Sequence, residues 1–172
     1  RSLRNIIHTL LVLGSTLTSS LYSATGNVWH IPTAEQNGVP TTMRDPSFPS
    51  SSENTTFYQG VWKGDGANQI GGSFVYRFDN GSWQSATLSY HSDVESDTVN
   101  HNQFWKCIVS MPASSVILDY YFIVEFDNRD KTYLFGNNSS SSLEADAQIN
   151  PTSLSVTYPL PELAINGVNS NY

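Results

Sequence analysis

Residues 117–126 read Ile-Leu-Asp-Tyr-Tyr-Phe-Ile-Val-Glu-Phe. Leu118, Tyr120, Phe122, Val124 and Phe126 recur at every second position, the period at which an extended chain turns successive side chains to one face. The stretch therefore predicts a strand with one deeply buried face. Asn128-Arg129-Asp130 then supplies a turn into residues 131–135, Lys-Thr-Tyr-Leu-Phe, which predicts a hairpin. Working back along the chain, residues 72–78 place Phe74, Tyr76 and Phe78 on one face before the turn Asp79-Asn80-Gly81. Residues 83–91 follow, with Trp83, Leu88 and Tyr90. Residues 103–111 align Trp105, Cys107, Val109 and Met111, and Pro112 ends that pattern. Residues 57–62 and 152–158 complete the set. No segment after residue 24 gives a convincing helix, and no internal repeat occurs. About seven short strands at roughly ten-residue spacing predict an antiparallel β-sandwich over residues 57–160.

The flanking segments read differently. Residues 1–24 begin with Arg1 and Arg4, continue through the apolar stretch Ile6 to Leu17, and end in small polar residues. That three-part build predicts a secretory signal peptide, and the apolar run is too short to span a bilayer. An amphipathic first helix is the alternative. Residues 25–56 hold Pro32, Pro40, Pro46 and Pro49 among Ser and Thr, so they predict an irregular segment wrapping the domain, anchored by Trp29, Ile31 and Phe48. Residues 161–172 read as a linker-like tail. Asn54, Asn80, Asn137 and Asn138 each open an acceptor triplet for N-glycosylation, which agrees with a secreted protein. The single Cys107 lies in an alternating apolar run, where it is expected to be a buried thiol.

Eight Lys and Arg stand against fifteen Asp and Glu, a formal net charge of −7. Removing Arg1 and Arg4 with the leader would leave six bases and a net of −9. No basic stripe is available to neutralise phosphates, so neither nucleic acid nor an anionic membrane surface is an expected partner. Charged residues make up 13% of the chain against an ordinary ~25%, while aromatic residues reach 12%.

Val75-Tyr76-Arg77-Phe78-Asp79 followed by Trp83 forms a V-x-Y-x-x-D…W arrangement. The aromatic strand Tyr120 to Phe126, the turn at Asn128, Lys131-Thr132-Tyr133 and Gly136-Asn137-Asn138 follow it. In this order the stretch from residue 73 to 138 resembles the immunoglobulin-like accessory and starch-binding domains at the N-terminus of starch-active glycoside hydrolases. In that family the Asn-rich loop usually continues to an aromatic residue, where this chain has Ser139 to Ser142. The resemblance implies an immunoglobulin-like sandwich, a starch-like glucan as ligand and a covalently linked catalytic domain as neighbour.

A sugar-binding surface needs exposed rings to stack on pyranose faces and amides or carboxylates to bond hydroxyls. Trp83 follows a turn, so its ring is expected at a strand start within reach of solvent, although a core tryptophan is usual in this architecture. Tyr133 stands beside Asn137 and Asn138, which offer donors and acceptors. These four are the candidate carbohydrate-binding residues. Trp105 is expected in the core, and Trp62, beside Gly64-Asp65-Gly66, could face either way. The acidic stretch His91 to Asn102 reads as a solvated loop without the spacing of a calcium or transition-metal site. No G-x-S-x-G elbow, paired carboxylates or phosphate loop marks a catalytic centre, and no cofactor is implied. The sequence thus points to a secreted, non-catalytic carbohydrate-binding or accessory module. The alternatives are a structural sandwich domain packed on a catalytic neighbour and a stand-alone secreted interaction protein.

Overall fold

A computed structural model describes residues 27–63, 67–95 and 101–158. The leader at 1–24, the Gly64-Asp65-Gly66 loop and the tail at 161–172 lie outside the described residues. In chain order the elements are β1 (Asn27–Trp29), β2 (Arg44–Asp45), β3 (Asn54–Trp62), β4 (Gln69–Phe78), β5 (Gln84–Thr87) and β6 (Ser89–Glu95). They continue with β7 (His101–Ser110), β8 (Val116–Phe126), β9 (Lys131–Phe135), β10 (Ser139–Ser141), the helix α1 (Glu144–Ile149) and β11 (Thr152–Val156). All ladders are antiparallel. One sheet runs β1-β3-β7-β6, with β2 beside β1 on the same edge of β3. The other runs β10-β9-β8-β4-β5. The edge of β8 away from β4 is shared: β9 lies along Phe122 to Glu125, and β11 along Val116 to Tyr120.

The two sheets close on each other as a β-sandwich. Alternation supplies the interior, because Phe74, Tyr76 and Phe78 stand opposite Phe122, Tyr120 and Leu118 on the inner face of the second sheet. Phe57, Val61, Cys107 and Val109 meet them from the first sheet. Phe57 and Phe74 bring their ring centroids to 4.3 Å, and Tyr120 lies 5.2 and 5.0 Å from the same two rings. Each such pair adds about 0.5–1.5 kcal/mol to the burial of its area. Cys107 is buried, and burial pushes its thiol up to about 12. Trp105 packs half-buried against this core, its indole N–H donating to Gln103 Oε1 at 2.8 Å.

Several expectations change. The stretch 83–91 is two strands, because Leu88 turns into the core, donates its N–H to Gly72 O at 3.0 Å, and hands the chain from the second sheet to the first. The expected loop His91 to Asn102 is strand at both ends, in β6 as far as Glu95 and in β7 from His101, and residues 96–100 lie outside the described residues. Residues 25–56 contain β1 and β2, which pair with β3. Their anchors are Val39, Met43 and Trp29, which cover Tyr58 and Phe104 on the outer face of the first sheet. Gly60 makes room for this, since a Cβ there would overlap the Trp29 indole. Ile31 and Phe48 anchor nothing, being 42% and 76% exposed. The helix α1 was not expected. Six residues are too few for a 3.6-residue period to declare itself.

Candidate functional site

Where β1 of one sheet approaches the β9–β10 turn of the other, the flank of the sandwich is tied by His30. Its backbone N–H donates to Asn138 Oδ1 at 2.8 Å. Its ring is held by Nδ1 at 2.7 Å from Tyr58 O and Nε2 at 3.0 Å from the Tyr120 hydroxyl. A carbonyl can only accept, so Nδ1 carries the proton and Nε2 accepts from Tyr120. The Tyr120 oxygen accepts in turn from Arg44 Nη1 at 3.3 Å, and Arg44 Nε donates to Ser47 O at 2.7 Å. Every link has one direction. Burial lowers the imidazole to about 3, with the Arg44 cation acting the same way and the Tyr58 carbonyl opposing. Burial likewise pushes Tyr120 up to about 12. At neutral pH the relay is uncharged apart from Arg44, and it orients groups instead of exchanging protons.

The β9–β10 turn puts Asn137 and Asn138 in the left-handed region, with φ of 46° and 59°, a conformation asparagine tolerates better than most residues. Both are exposed. The preceding Gly136 lets the turn approach the α1–β11 connection, since a Cβ there would lie 2.9 Å from Asn150 O. Two clefts open beside this turn. One, of about 370 Å³, is lined by His30, Ile31, Pro32, Asn137, Asn138 and Thr152. The other, of about 500 Å³, includes Phe135, Asn137, Ser139, Asn150, Thr152 and Ser153. The sequence offers Ile31 as an anchor and Pro32 as a break in periodicity, but nothing in it marks these two, Asn150 or Thr152 as lining a site. Three segments distant in the chain meet here, and no local pattern marks such a meeting.

The outer face of the second sheet carries the two candidate rings. Tyr133 pairs with Ile123 across β9–β8 and is half-buried, as is Phe135 two residues on. Burial and the nearby Glu144 carboxylate raise its phenol. Trp83 sits immediately before β5, also half-buried, with its ring 5.2 Å edge-on from Tyr121. The Arg77 guanidinium lies 4.4 Å from the centroid of that indole. Arg77 is held there by Asp119 Oδ2 at 3.0 Å, and Asp119 Oδ1 accepts from the Ser153 hydroxyl. The structure thus brings Tyr133, Asn137 and Asn138 together on one strand and its turn. Trp83 stands apart, three strands away, a lateral separation of about 14 Å at ordinary strand spacing, and is further offset along the strands. Ala147 of α1 is buried in the cluster that the two rings flank.

Of the acceptor asparagines, Asn80 is exposed in its turn at φ 59°, and Asn54 is exposed while its Oδ1 accepts from Ser110 Oγ at 2.6 Å. Trp62 is half-buried at the end of β3. Among the described residues no group of three or more His, Cys, Asp or Glu side chains is arranged to hold a metal ion. Among the same residues no helix is long and apolar enough to cross a membrane. The chain matches no family model and, at a significant level, no curated protein.

Proposed function

We propose that the chain is a non-catalytic carbohydrate-binding or accessory module of a secreted protein, with an immunoglobulin-like arrangement of its sandwich and a starch-like glucan as its ligand. One observation carries the reading. Of the exposed Asn137–Asn138 pair, Asn137 lines both clefts and Asn138 the smaller, with the half-buried rings of Tyr133 and Phe135 on the strand that leads into the turn. Amides paired with ring faces are what recognition of a polyhydroxylated ring requires. Affinity at one such site is weak, because a few contacts must offset the ordering of a flexible chain. A module of this kind serves a linked catalytic domain by raising its effective concentration on a repetitive substrate.

Retention on insoluble starch, read beside a thermal melt, tests this. Wild-type chain is retained; Asn137→Gly, which keeps the left-handed backbone unstrained, and Trp83→Ala lose retention with little change in the melt. Wild type that passes straight through removes the reading. A structural domain that packs on a neighbour is the second reading, favoured by Trp83. That ring is already engaged edge-on by Tyr121 and faced by Arg77. A collapsed melt for Trp83→Ala, with starch retention absent, selects it.

A further inference from the structure

We infer that the two flank clefts are one continuous groove that takes an extended, uncharged glycan chain across more than two sugar units. The inference rests on the carbohydrate reading but is separable from the choice of glucan. Continuity rests on Asn137 and Thr152, which line both clefts. The ends are distinct: Ile31 lines only the smaller cleft and Asn150 only the larger.

The chemistry of the lining sets the class of ligand. Neither cleft is lined by an Asp, Glu, Lys or Arg. Amides and hydroxyls alternate instead with the apolar surfaces of Ile31, Pro32 and Phe135, and Ile31 is 42% exposed beside them. A carboxylate- or sulfate-bearing chain would find no cation there and would approach a protein of net charge −7. A neutral sugar finds donors and acceptors for its hydroxyls and apolar patches for its C–H faces. The His30 main chain holds the Asn138 side chain in place. Its backbone N–H occupies Asn138 Oδ1, which leaves the amide nitrogen as that residue's free donor. Through that contact His30 acts as a positioning residue.

Titration calorimetry of the intact chain tests the groove, with maltose and maltotetraose, cellobiose and cellotetraose, mannobiose and mannotetraose, and polygalacturonate as the acidic control. Expected is a tetrasaccharide affinity at least about fivefold above the disaccharide of the same series, as subsites beyond the second sugar require. Ile31→Asp, at an exposed position, should bring the tetrasaccharide down to the disaccharide level without moving the melt. Asn150→Ala should do the same from the other end. Length-dependent binding confined to the cello or manno series, and abolished by Ile31→Asp, overturns starch as the ligand and upholds the groove. Equal binding of disaccharide and tetrasaccharide overturns the groove. So does polygalacturonate binding as tightly as the neutral chains, an Ile31→Asp variant that binds like wild type, or no binding in any series.

Discussion

Tyr120 and Tyr121 are neighbours on β8, equally buried at 0% and 1% exposure, yet they stand on opposite faces of the sheet. Tyr120 points inward, among Phe57, Phe74 and Phe122, with its hydroxyl between His30 and Arg44. Tyr121 points outward, where Trp83 and Ala147 cover it and its hydroxyl donates to Glu144 Oε1 at 2.6 Å. The inner face is deep because two whole sheets supply it. The outer face is a thin cover made from one turn and six helical residues. Equal exposure therefore conceals unequal energetic depth, and substitutions on the two faces should separate it.

The widest separation is expected one position further on. Phe122→Ala removes a fully buried ring from the inner cluster and should cost about 3–5 kcal/mol. Ile123→Ala, half-buried on the outer face, should cost only about 1–2 kcal/mol. Urea unfolding of the two variants measures both, and similar losses would show that the outer cover is as consolidated as the core.

Next in size is the response of the inner face to acid. His30 stays neutral in the fold down to about 3, whereas the unfolded chain protonates it near 6.5. The stabilisation is complete above pH 6.5 and is lost as pH falls towards 3, because the unfolded state then binds the extra proton. At about 1.4 kcal/mol per pH unit, the loss at pH 4 is roughly 3 kcal/mol. His30→Asn keeps a donor towards Tyr58 O and removes the titration. Its stability difference between pH 7 and pH 4 should shrink by that amount relative to wild type. An unchanged difference would mean that the ring is protonated, or solvated, inside the fold.

The hydroxyls of the two tyrosines give the direct comparison. Tyr120→Phe leaves His30 Nε2 without its donor and Arg44 Nη1 without its acceptor, both in buried residues, and should cost about 2 kcal/mol. Tyr121→Phe frees a Glu144 carboxylate at the margin of a half-exposed helix and should cost about 1 kcal/mol or less. Thermal melts at neutral pH rank the two. The reverse order would place the stronger polar contact on the outer face.

The same contrast separates what the sequence could reveal from what it could not. Alternation from Leu118 to Phe126 and from Phe74 to Phe78 assigns the inner face correctly, because each strand carries its own evidence. The outer face depends on partners 20 to 70 residues away. Trp83, Tyr121 and Ala147 share no local pattern, and α1 is too short to announce itself. His30 and Arg44 are the hardest to read. Each is one polar residue among many in a stretch of Pro, Ser and Thr, and only β1 and β2 pairing with β3 carries them inward. The candidate site divides likewise. Asn137 and Asn138 stand out as a turn, while the clefts beside them need Ile31 and Thr152 from the two ends of the domain.

The smallest effect concerns how Trp83 is held on the outer face. Arg77 combines a charge for Asp119 with a planar group 4.4 Å from the indole centroid. Arg77→Lys keeps the charge but loses the plane, and an ammonium stacks on a ring less well than a guanidinium. The expected cost is about 0.5–1 kcal/mol, the range of a partly exposed cation–π contact. Uncovering the ring should also raise its access to acrylamide. Fluorescence quenching of Arg77→Lys should therefore exceed that of wild type, and the excess should vanish in the Arg77→Lys, Trp83→Phe double variant. If quenching rises and starch retention strengthens with it, the freed indole face is a sugar platform that Arg77 partly screens. If quenching rises while retention is unchanged, Trp83 belongs to the cover over Tyr121, and recognition rests on the groove beside Asn137.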